Sequence, residues 1–200
     1  LVIAGAGIGL GAVGSFFGAM LARAGHRVTL VGRAPHVQAT MRDGLQLHMG
    51  GRVEAVRLLA RTDLAAVREA DLVLFSVKST DTDAVARKMA PLLAERVLVL
   101  SLQNGVDNPP AIARHVRGPG QAVVPAVVYV ATAMPEPGVI KHFGRGDLVV
   151  GPLTEAAAAD AAHAARLQAL ADFFAGAGVP VRISPAVMDE LWNKLMVNSA

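Results

Sequence analysis

The 200-residue sequence contains no cysteine, which excludes disulfide bonds, a thiol nucleophile and a cysteine-based metal site. Aromatic residues are scarce, because one Trp, one Tyr and six Phe leave few platforms on which nucleic-acid bases could stack. No apolar run approaches the roughly 18 residues that a membrane-spanning helix needs. The net charge of +3 is modest, and the Lys and Arg residues are scattered along the chain. We therefore expect a soluble, cytoplasmic protein that binds neither nucleic acid nor a membrane.

Apolar residues make up 53% of the sequence, which is enough for a sizeable core. Short β-branched runs alternate with longer, alanine-rich amphipathic segments, a pattern typical of a parallel sheet with helices on both faces. The runs at residues 122–133 and 139–150 follow each other directly and predict antiparallel strands at the sheet edge. The fold class that we predict is α/β, a doubly wound Rossmann-type sheet that is mostly parallel, with antiparallel edge strands.

The remaining pattern predicts the other elements and one domain boundary. The predicted helices and strands of this group are helices 35–43, 62–70, 81–94 and 155–177, a strand pair 45–49 and 53–59, and strands 27–31, 71–77, 96–102 and 179–183. After Ser184-Pro185 a new helical pattern begins and continues to the last residue. We expect residues 1–184 to form the Rossmann-like domain and residues 185–200 to begin a second, all-helical domain. Because residue 1 is not Met and the final pattern is incomplete, the sequence reads as a fragment of a longer protein.

A glycine-rich segment lies near the start of the sequence. Residues 9–14 read Gly9-Leu10-Gly11-Ala12-Val13-Gly14, which is the G-x-G-x-x-G spacing, between an apolar run and a helical pattern. In this motif the first glycine permits a tight bend, the second lets a phosphate approach the backbone, and the third lets helix and strand pack closely. The N-terminus of the following helix offers free N–H groups and a positive dipole end to a pyrophosphate. The segment therefore predicts a dinucleotide site.

The residue after the second predicted strand indicates which dinucleotide binds. NAD and flavin sites usually carry an acid there to accept hydrogen bonds from ribose hydroxyls, but this sequence has Val31-Gly32-Arg33. The Arg33 guanidinium suits a 2′-phosphate, so it predicts NADP(H). A motif frame that starts at Gly5 resembles flavin-binding hydroxylases, but it leaves about four residues too many before the second strand.

Polar residues follow two buried strands directly. Lys78 comes after the strand at residues 71–77, and Asn104 follows the strand at residues 96–102. Parallel sheets bind ligands at the edge where their strands end, which favours a role for both residues. Taken separately, Lys78 could be a solvated strand end and Asn104 a turn former before Gly105.

The last predicted helix places Glu190, Lys194 and Asn198 on one face, because they are spaced at i, i+4 and i+8. One interpretation is a surface ion pair of Glu190 with Lys194, worth a few tenths of a kcal/mol. The other is a lysine held in a cleft, with Asn198 orienting a substrate. The six histidines are dispersed, and no His and carboxylate cluster predicts a metal site.

These motifs, in this order and spacing, resemble the ketopantoate reductases (2-dehydropantoate 2-reductases) over essentially all 200 residues. The matching motifs are residues 9–14, Gly25-His26, Val31-Gly32-Arg33, Ser76-Val77-Lys78, Gln103-Asn104-Gly105 and Leu191-Trp192-Asn193-Lys194-Leu195-Met196-Val197-Asn198. The resemblance implies a cytoplasmic oxidoreductase of pantothenate biosynthesis. It also implies that family members carry a second, helical domain with another asparagine, a serine and a glutamate in the site.

The resemblance also implies roles for individual residues. Arg33 would meet the 2′-phosphate of NADPH, and Lys78 and Asn104 would flank its nicotinamide half. Lys194 would donate the proton to the carbonyl oxygen, while Asn198, together with Asn104, would hold the substrate. Ala133 falls where the family has a further cofactor contact.

The function that we predict is NADPH-dependent reduction of 2-dehydropantoate to pantoate, in which the hydride reaches the 2-keto carbon and a lysine donates the proton. A reductase of another 2-keto or hydroxy acid is the first alternative. The second is a non-catalytic Rossmann module that senses NADP(H), although such a sensor would need no proton donor. The expected partner is a small 2-keto acid, and a homodimer is left open.

Overall fold

The computed structural model describes residues 5–8 and 11–199, with side chains from residue 11 to residue 198. The strands are β1 (Gly5–Ile8), β2 (Val28–Val31), β3 (Leu45–Met49), β4 (Arg52–Val56), β5 (Leu59–Arg61), β6 (Leu72–Phe75), β7 (Leu98–Ser101), β8 (Ala122–Glu136), β9 (Val139–Val150) and β10 (Val181–Ile183). The helices are α1 (Ala12–Arg23), α2 (Ala34–Asp43), α3 (Thr82–Met89), α4 (Asn108–Ala113), α5 (Glu155–Ala159), α6 (Ala161–Gly176) and α7 (Val187–Ser199). Short 3-10 helices span Leu64–Glu69, Ser79–Asp81 and Ala90–Leu92.

The strands form one mixed sheet in the order β4-β3-β9-β8-β7-β6-β1-β2-β5, and β10 pairs with β9. From β8 through β5 every pairing is parallel. The antiparallel pairings are β8 with β9 and β3 with β4. The predicted α/β class with a mostly parallel sheet is confirmed. The antiparallel strands β8 and β9 are not edge strands, however, because β8 also pairs with β7, and β9 also pairs with β3 and β10.

Both faces of the central parallel strands β6 and β7 are buried, as their continuous apolar runs predict. On β6, Leu72 and Leu74 face the cluster that contains α1 and α6, whereas Val73 and Phe75 face the cluster of α3 and α4. This alternation follows from the two-residue period of a strand. A third cluster packs Leu191 of α7, together with Val187, against β8 and β9. The carboxyl ends of β1, β6 and β7 lie at one edge of the sheet, and α7 packs against Val127 of β8 and Val149 of β9.

The predicted helix 155–177 is wrong as a single helix, because it is divided at Asp160. The Asp160 backbone is extended (φ −87°, ψ 112°), and its carboxylate accepts a hydrogen bond from the Ala162 N–H. Aspartate in this position accepts a hydrogen bond from a free N–H of the helix that follows. This capping favours the start of a second helix over the continuation of the first. An alanine-rich composition masks such a break.

Three smaller predictions also need correction. The helix expected at residues 62–70 is a 3-10 helix capped by Asp63 instead of Thr62. The helix expected at residues 81–94 ends as α3 at Met89 and continues only as a 3-10 turn, because Pro91 supplies no N–H. The strand expected at residues 53–59 is two strands, of which β4 pairs with β3 and β5 pairs with β2.

No helix in the described ranges is both long enough and apolar enough to cross a membrane.

Candidate active site

The N-terminus of α1 borders two clefts at the carboxyl edge of the sheet. Gly11 is the N-cap of α1 and supplies no side-chain cap, and the first turn of the helix contains no acid. The first N–H groups of a helix lack intrahelical partners, so this end can receive an anion. Among the described residues, a Cβ on Gly11 would meet only the Ser76 carbonyl oxygen, at 3.8 Å, so space remains beside the backbone there. Gly9 and Leu10 lie outside the described residues.

The first cleft, here called the Arg33 cleft, has a volume of about 420 Å³. Its lining includes Gly11, Gly32, Arg33, Lys78 and Lys88. Arg33 is exposed at the start of α2, directly after the end of β2. Three cations therefore line one cleft beside an uncapped helix N-terminus. This donor set fits a phosphorylated nucleotide better than a free ribose hydroxyl.

The second cleft, here called the Lys194 cleft, has a volume of about 490 Å³. Its polar and aromatic lining comes from the loop after β7 and from β8, β9 and α7, and it includes Asn104, Tyr129, Arg145, Lys194 and Asn198. Val13 of α1 also lines it, so the N-terminus of α1 borders both clefts.

The Lys194 ammonium group is held by two acceptors, one in the loop after β7 and one in β8. Its Nζ donates to Asn104 Oδ1 at 3.0 Å and to the Val128 carbonyl oxygen. An ammonium group has three N–H donors, so one remains for a ligand in the cleft. Burial, followed by the nearby Arg145 cation, lowers the pKa of Lys194 below its usual value. A lowered pKa makes the ammonium a stronger acid near neutral pH.

Glu190 is not the partner of Lys194. Its carboxylate accepts hydrogen bonds of 2.6 and 3.1 Å from Arg182 of β10. This contact lowers the pKa of Glu190 and ties the first turn of α7 to the sheet. The surface ion pair considered for Glu190 and Lys194 is therefore absent from the described residues, and Lys194 faces the cleft.

A buried hydrogen-bond network that the sequence did not predict holds the loop of Asn104. The Asn108 amide donates to the Asn104 carbonyl oxygen at 2.6 Å and to Ser79 Oγ at 3.0 Å. Thr82 Oγ1 donates to Asn108 Oδ1 at 2.9 Å and accepts from Gln103 Nε2 at 2.7 Å. The network joins the loops after β6 and β7. The motif Gln103-Asn104-Gly105 was visible in the sequence. The network could not be predicted from it, because Ser79 and Thr82 lie in a segment that is distant in sequence.

The other predicted site residues are distributed between the two clefts. Lys78 lines the cleft of Arg33, whereas Asn104 lines that of Lys194, so the structure does not place these two residues together. Asn198 lies one helical turn after Lys194 in the same cleft. Ala133 is exposed, pairs with Lys141 of β9 and lines neither cleft, while Ala131 lines the Lys194 cleft. Tyr129 and Arg145 of that cleft were not predicted.

Within the described ranges, no group of three His, Asp or Glu side chains is placed to hold a metal ion.

A mostly parallel sheet with helices on both faces, and a helix N-terminus that borders two clefts at its carboxyl edge, define an α/β protein of the Rossmann type. Residues 6–155 match the family described as ketopantoate reductase PanE/ApbA. The chain belongs to this family, whose members are NAD(P)-dependent reductases.

Individual relatives agree with this membership. The 2-dehydropantoate 2-reductase of Halobacterium salinarum is 32% identical over 192 residues, which are 95% of this chain and 60% of that protein. The chain thus spans about 60% of the length of the curated relatives it matches. A crystal structure of a PanE/ApbA family ketopantoate reductase from Ralstonia eutropha JMP134 is 49% identical, with a TM-score of 0.85 over 97% of this chain and 61% of that one. A ternary structure of D-mandelate dehydrogenase with NADH and anilino(oxo)acetate is 27% identical, with a TM-score of 0.84 over 97% and 61% of the two chains.

Proposed function

We propose that this protein reduces a 2-keto acid with NADPH, and that the substrate is 2-dehydropantoate, which gives pantoate. The observation that carries the proposal is the position of Lys194, whose ammonium group lies in a cleft and is fixed by Asn104 and Val128. The names of the relatives support the same reaction.

NADPH, when bound, supplies a hydride to the 2-keto carbon, and negative charge then builds on the substrate oxygen. The third N–H of Lys194 is placed to stabilise this charge and to give up a proton. Asn104 and Val128 keep the ammonium in one position, so less reorganisation is needed during the reaction. Asn198, one turn further along the same helix face, is placed to orient the substrate.

Our proposal for the cofactor is NADPH, bound with its 2′-phosphate at Arg33, while Lys78, which the resemblance places at the nicotinamide half, also lines this cleft. Both cations line one cleft, and no acid follows β2 directly to accept ribose hydroxyls. The pyrophosphate would lie at the N-terminus of α1, against Gly11. Asp81 and Lys88 line the same cleft, so the surplus of positive charge there is two, counted over Arg33, Lys78, Lys88 and Asp81.

Reduction of a different 2-keto acid is the second candidate function. It is favoured by the similarity to D-mandelate dehydrogenase, whose structure holds NADH and anilino(oxo)acetate. Both candidates use the same Lys194 chemistry and differ in the substrate side chain and the cofactor.

We also propose that residues 185–200 begin a second, helical domain that completes the substrate site. Support comes from the outer face of α7, where Trp192, Met196 and Val197 are exposed although they are apolar. A cytoplasmic location and a homodimer stay predictions from the sequence.

The test is NADPH oxidation by the full-length protein with a panel of 2-keto acids, including 2-dehydropantoate and phenylglyoxylate. We expect the highest kcat/KM with 2-dehydropantoate, and NADH should be the poorer cofactor. Lys194→Ala should lower kcat by about 10²- to 10⁴-fold and leave NADPH affinity nearly unchanged. A protein that binds NADPH but oxidises it with no member of the panel is a sensor instead of a reductase. Near-normal turnover of Lys194→Ala would contradict the role of the lysine.

A further inference from the structure

Arg145 has an unfavourable backbone conformation next to the Lys194 cleft. Its φ of 55° is the only positive φ of a non-glycine residue in the described part of the chain. A side chain with a Cβ is disfavoured in this left-handed region, and such residues concentrate at functional sites. The neighbours of Arg145 are both glycines, Gly144 and Gly146. Flexible glycines thus stand on both sides, but the residue at the strained position is an arginine.

The strain belongs to a double bulge in β9. Tyr129 pairs with Asp147 and Val130 pairs with Arg145, so Gly146 is an extra residue between the two pairs. A second shift follows between Ala131 and Thr132. Bulges bend a strand and redirect a side chain, and they are frequent next to active sites.

The first helix of the nucleotide motif holds this bulge in place. The ring of His142 stacks on Phe16 of α1, with centroids 4.6 Å apart and planes at 8°. Its Nε2 hydrogen-bonds the carbonyl oxygen of Arg145, which makes Nε2 the protonated nitrogen in this contact. A Cβ on Gly146 would meet the Phe16 ring at 3.3 Å. The lack of a side chain at Gly146 therefore allows the bulge to lie close to α1. The backbone of Arg145 is thus fixed from both sides.

The guanidinium group of Arg145 is fixed as well. It lies 4.1 Å from the centroid of the Tyr129 ring, and its Nε and Nη2 donate to the carboxylate of Asp147 at 3.0 and 2.8 Å. Nη1 has no hydrogen-bond partner among the residues that the structure describes. The Lys194 Nζ lies 5.5 Å from the same ring, so both cations lie beside Tyr129.

The contacts of Arg145 with Tyr129 and Asp147 do not explain why an arginine occupies this strained position. An exposed pair such as Arg145 with Asp147, whose side chains are 62% and 34% exposed, stabilises a fold weakly. A glycine or asparagine at position 145 would fit the same backbone with less strain. What an arginine adds is a planar, permanently charged group that lines the cleft of Lys194 and whose Nη1 is not used by Asp147.

We propose that Arg145 binds the carboxylate of the 2-keto acid substrate through its free edge and so determines that the enzyme reduces acids. The inference rests on the proposed reductase function. A 2-keto acid carries its carboxylate on the carbon next to the ketone. A carboxylate at Arg145 therefore leaves the keto oxygen for Lys194, which lines the same cleft. Tyr129 and Asp147 hold the guanidinium plane, so little side-chain freedom is lost on binding.

Steady-state kinetics of two variants test this role. Arg145→Gly removes the guanidinium and suits a φ of 55°, so this variant should fold with little or no loss in Tm. Arg145→Lys keeps the charge but loses the planar edge. Each variant is measured with the best 2-keto acid of the panel and with its neutral methyl ester. Arg23→Ala is the matched control, because Arg23 is paired with Glu54 at 2.8 Å and lines neither cleft.

We expect Arg145→Gly to raise KM for the acid by about 10- to 100-fold, with no more than a twofold change for the ester. Arg145→Lys should fall between this variant and the unmodified enzyme, and Arg23→Ala should match the unmodified enzyme. Equal effects on acid and ester would overturn the proposal. A loss of NADPH affinity in Arg145→Gly would overturn it as well, because Arg145 would then contact the cofactor.

Binding of oxamate, a non-reducible 2-keto acid analogue, to the NADPH complex separates this inference from the proposed function. If the unmodified protein reduces no 2-keto acid, the proposed function fails. Oxamate binding that is lost in Arg145→Gly still supports a carboxylate site in that case. Equal oxamate binding by both proteins, or none by either, refutes the role of Arg145.

Discussion

The Lys194 ammonium group donates a 3.0 Å hydrogen bond to Asn104 Oδ1, although the two residues are 90 positions apart in sequence. Asn104 follows β7, and Lys194 lies in the middle of α7, which packs on β8 and β9 through Val187 and Leu191. The contact therefore depends on the packing of α7 against the sheet as well as on the two residues themselves. It gives the lysine a defined position before any substrate binds.

If Asn104 acts by holding Lys194, the two residues should not contribute independently. Asn104→Ala should lower kcat by about 10- to 100-fold, and adding it to Lys194→Ala should lower kcat by no more than about a further threefold. The measurement is a double-mutant cycle on kcat. Asn193→Ala is the control, since Asn193 is exposed on α7 directly before Lys194 and lines neither cleft. Fully additive effects would show that Asn104 acts on the substrate separately.

The pH dependence of turnover should report the ionisation of Lys194. Only the ammonium form donates a proton, so kcat/KM should fall as pH rises through the pKa of Lys194. Burial and the Arg145 cation lower this pKa, so the fall should begin below the usual lysine range. In Arg145→Gly the neighbouring cation is lost, the pKa of Lys194 rises, and the alkaline limb should move to higher pH. The methyl ester is the appropriate substrate, because its binding does not depend on Arg145; an unmoved limb would contradict the assignment.

Gly11 should be required for the cofactor and not for folding. Its backbone is extended (φ −91°, ψ 169°), which valine also adopts, and a Cβ there has space. Gly11→Val should change the free energy of unfolding by no more than about 1 kcal/mol while abolishing NADPH binding, because its side chain would occupy the pyrophosphate position.

Gly18→Val on the same helix is the matched opposite of Gly11→Val. A Cβ on Gly18 would lie 2.9 Å from the buried Leu30 side chain, so this variant should lose about 1–3 kcal/mol of stability. Thermal melts with and without NADPH separate the two effects. A Gly11→Val protein that unfolds would mean that the turn itself needs glycine.

Arg33 should select NADPH over NADH. Arg33→Ala removes a charged donor for the 2′-phosphate and should weaken NADPH binding by about 1.5–3 kcal/mol, with little effect on NADH. Arg57→Ala is the control, because Arg57 lines a different cavity, which it shares with His26 and Thr29. Affinities from fluorescence titration decide the point. Equal affinity of the unmodified protein for both cofactors would refute the assignment.

The local patterns were sufficient for most of the fold. The parallel strands were predictable because they are short, apolar and bounded by turns, and the Gly50-Gly51 turn indicated the β3–β4 hairpin. The predictions failed where a local polar contact competes with composition, as at Asp160 in the alanine-rich segment. They also failed at β5, whose partner β2 is about 30 residues away, since a strand of three residues carries no clear periodic signal.

By itself the sequence determined the Rossmann-type class, the start of α1 after Gly11 and the presence of Arg33 after β2, because each depends on residues that are close in the chain. Only the tertiary structure decided the partner of Lys194. Helical spacing offered Glu190, but Glu190 binds Arg182, and Lys194 instead donates to Asn104 and Val128. The same holds for Arg145, whose position in the cleft depends on a bulge held by Phe16 and His142. Strand order and helix docking bring these residues together, and neither can be read from spacing along the chain.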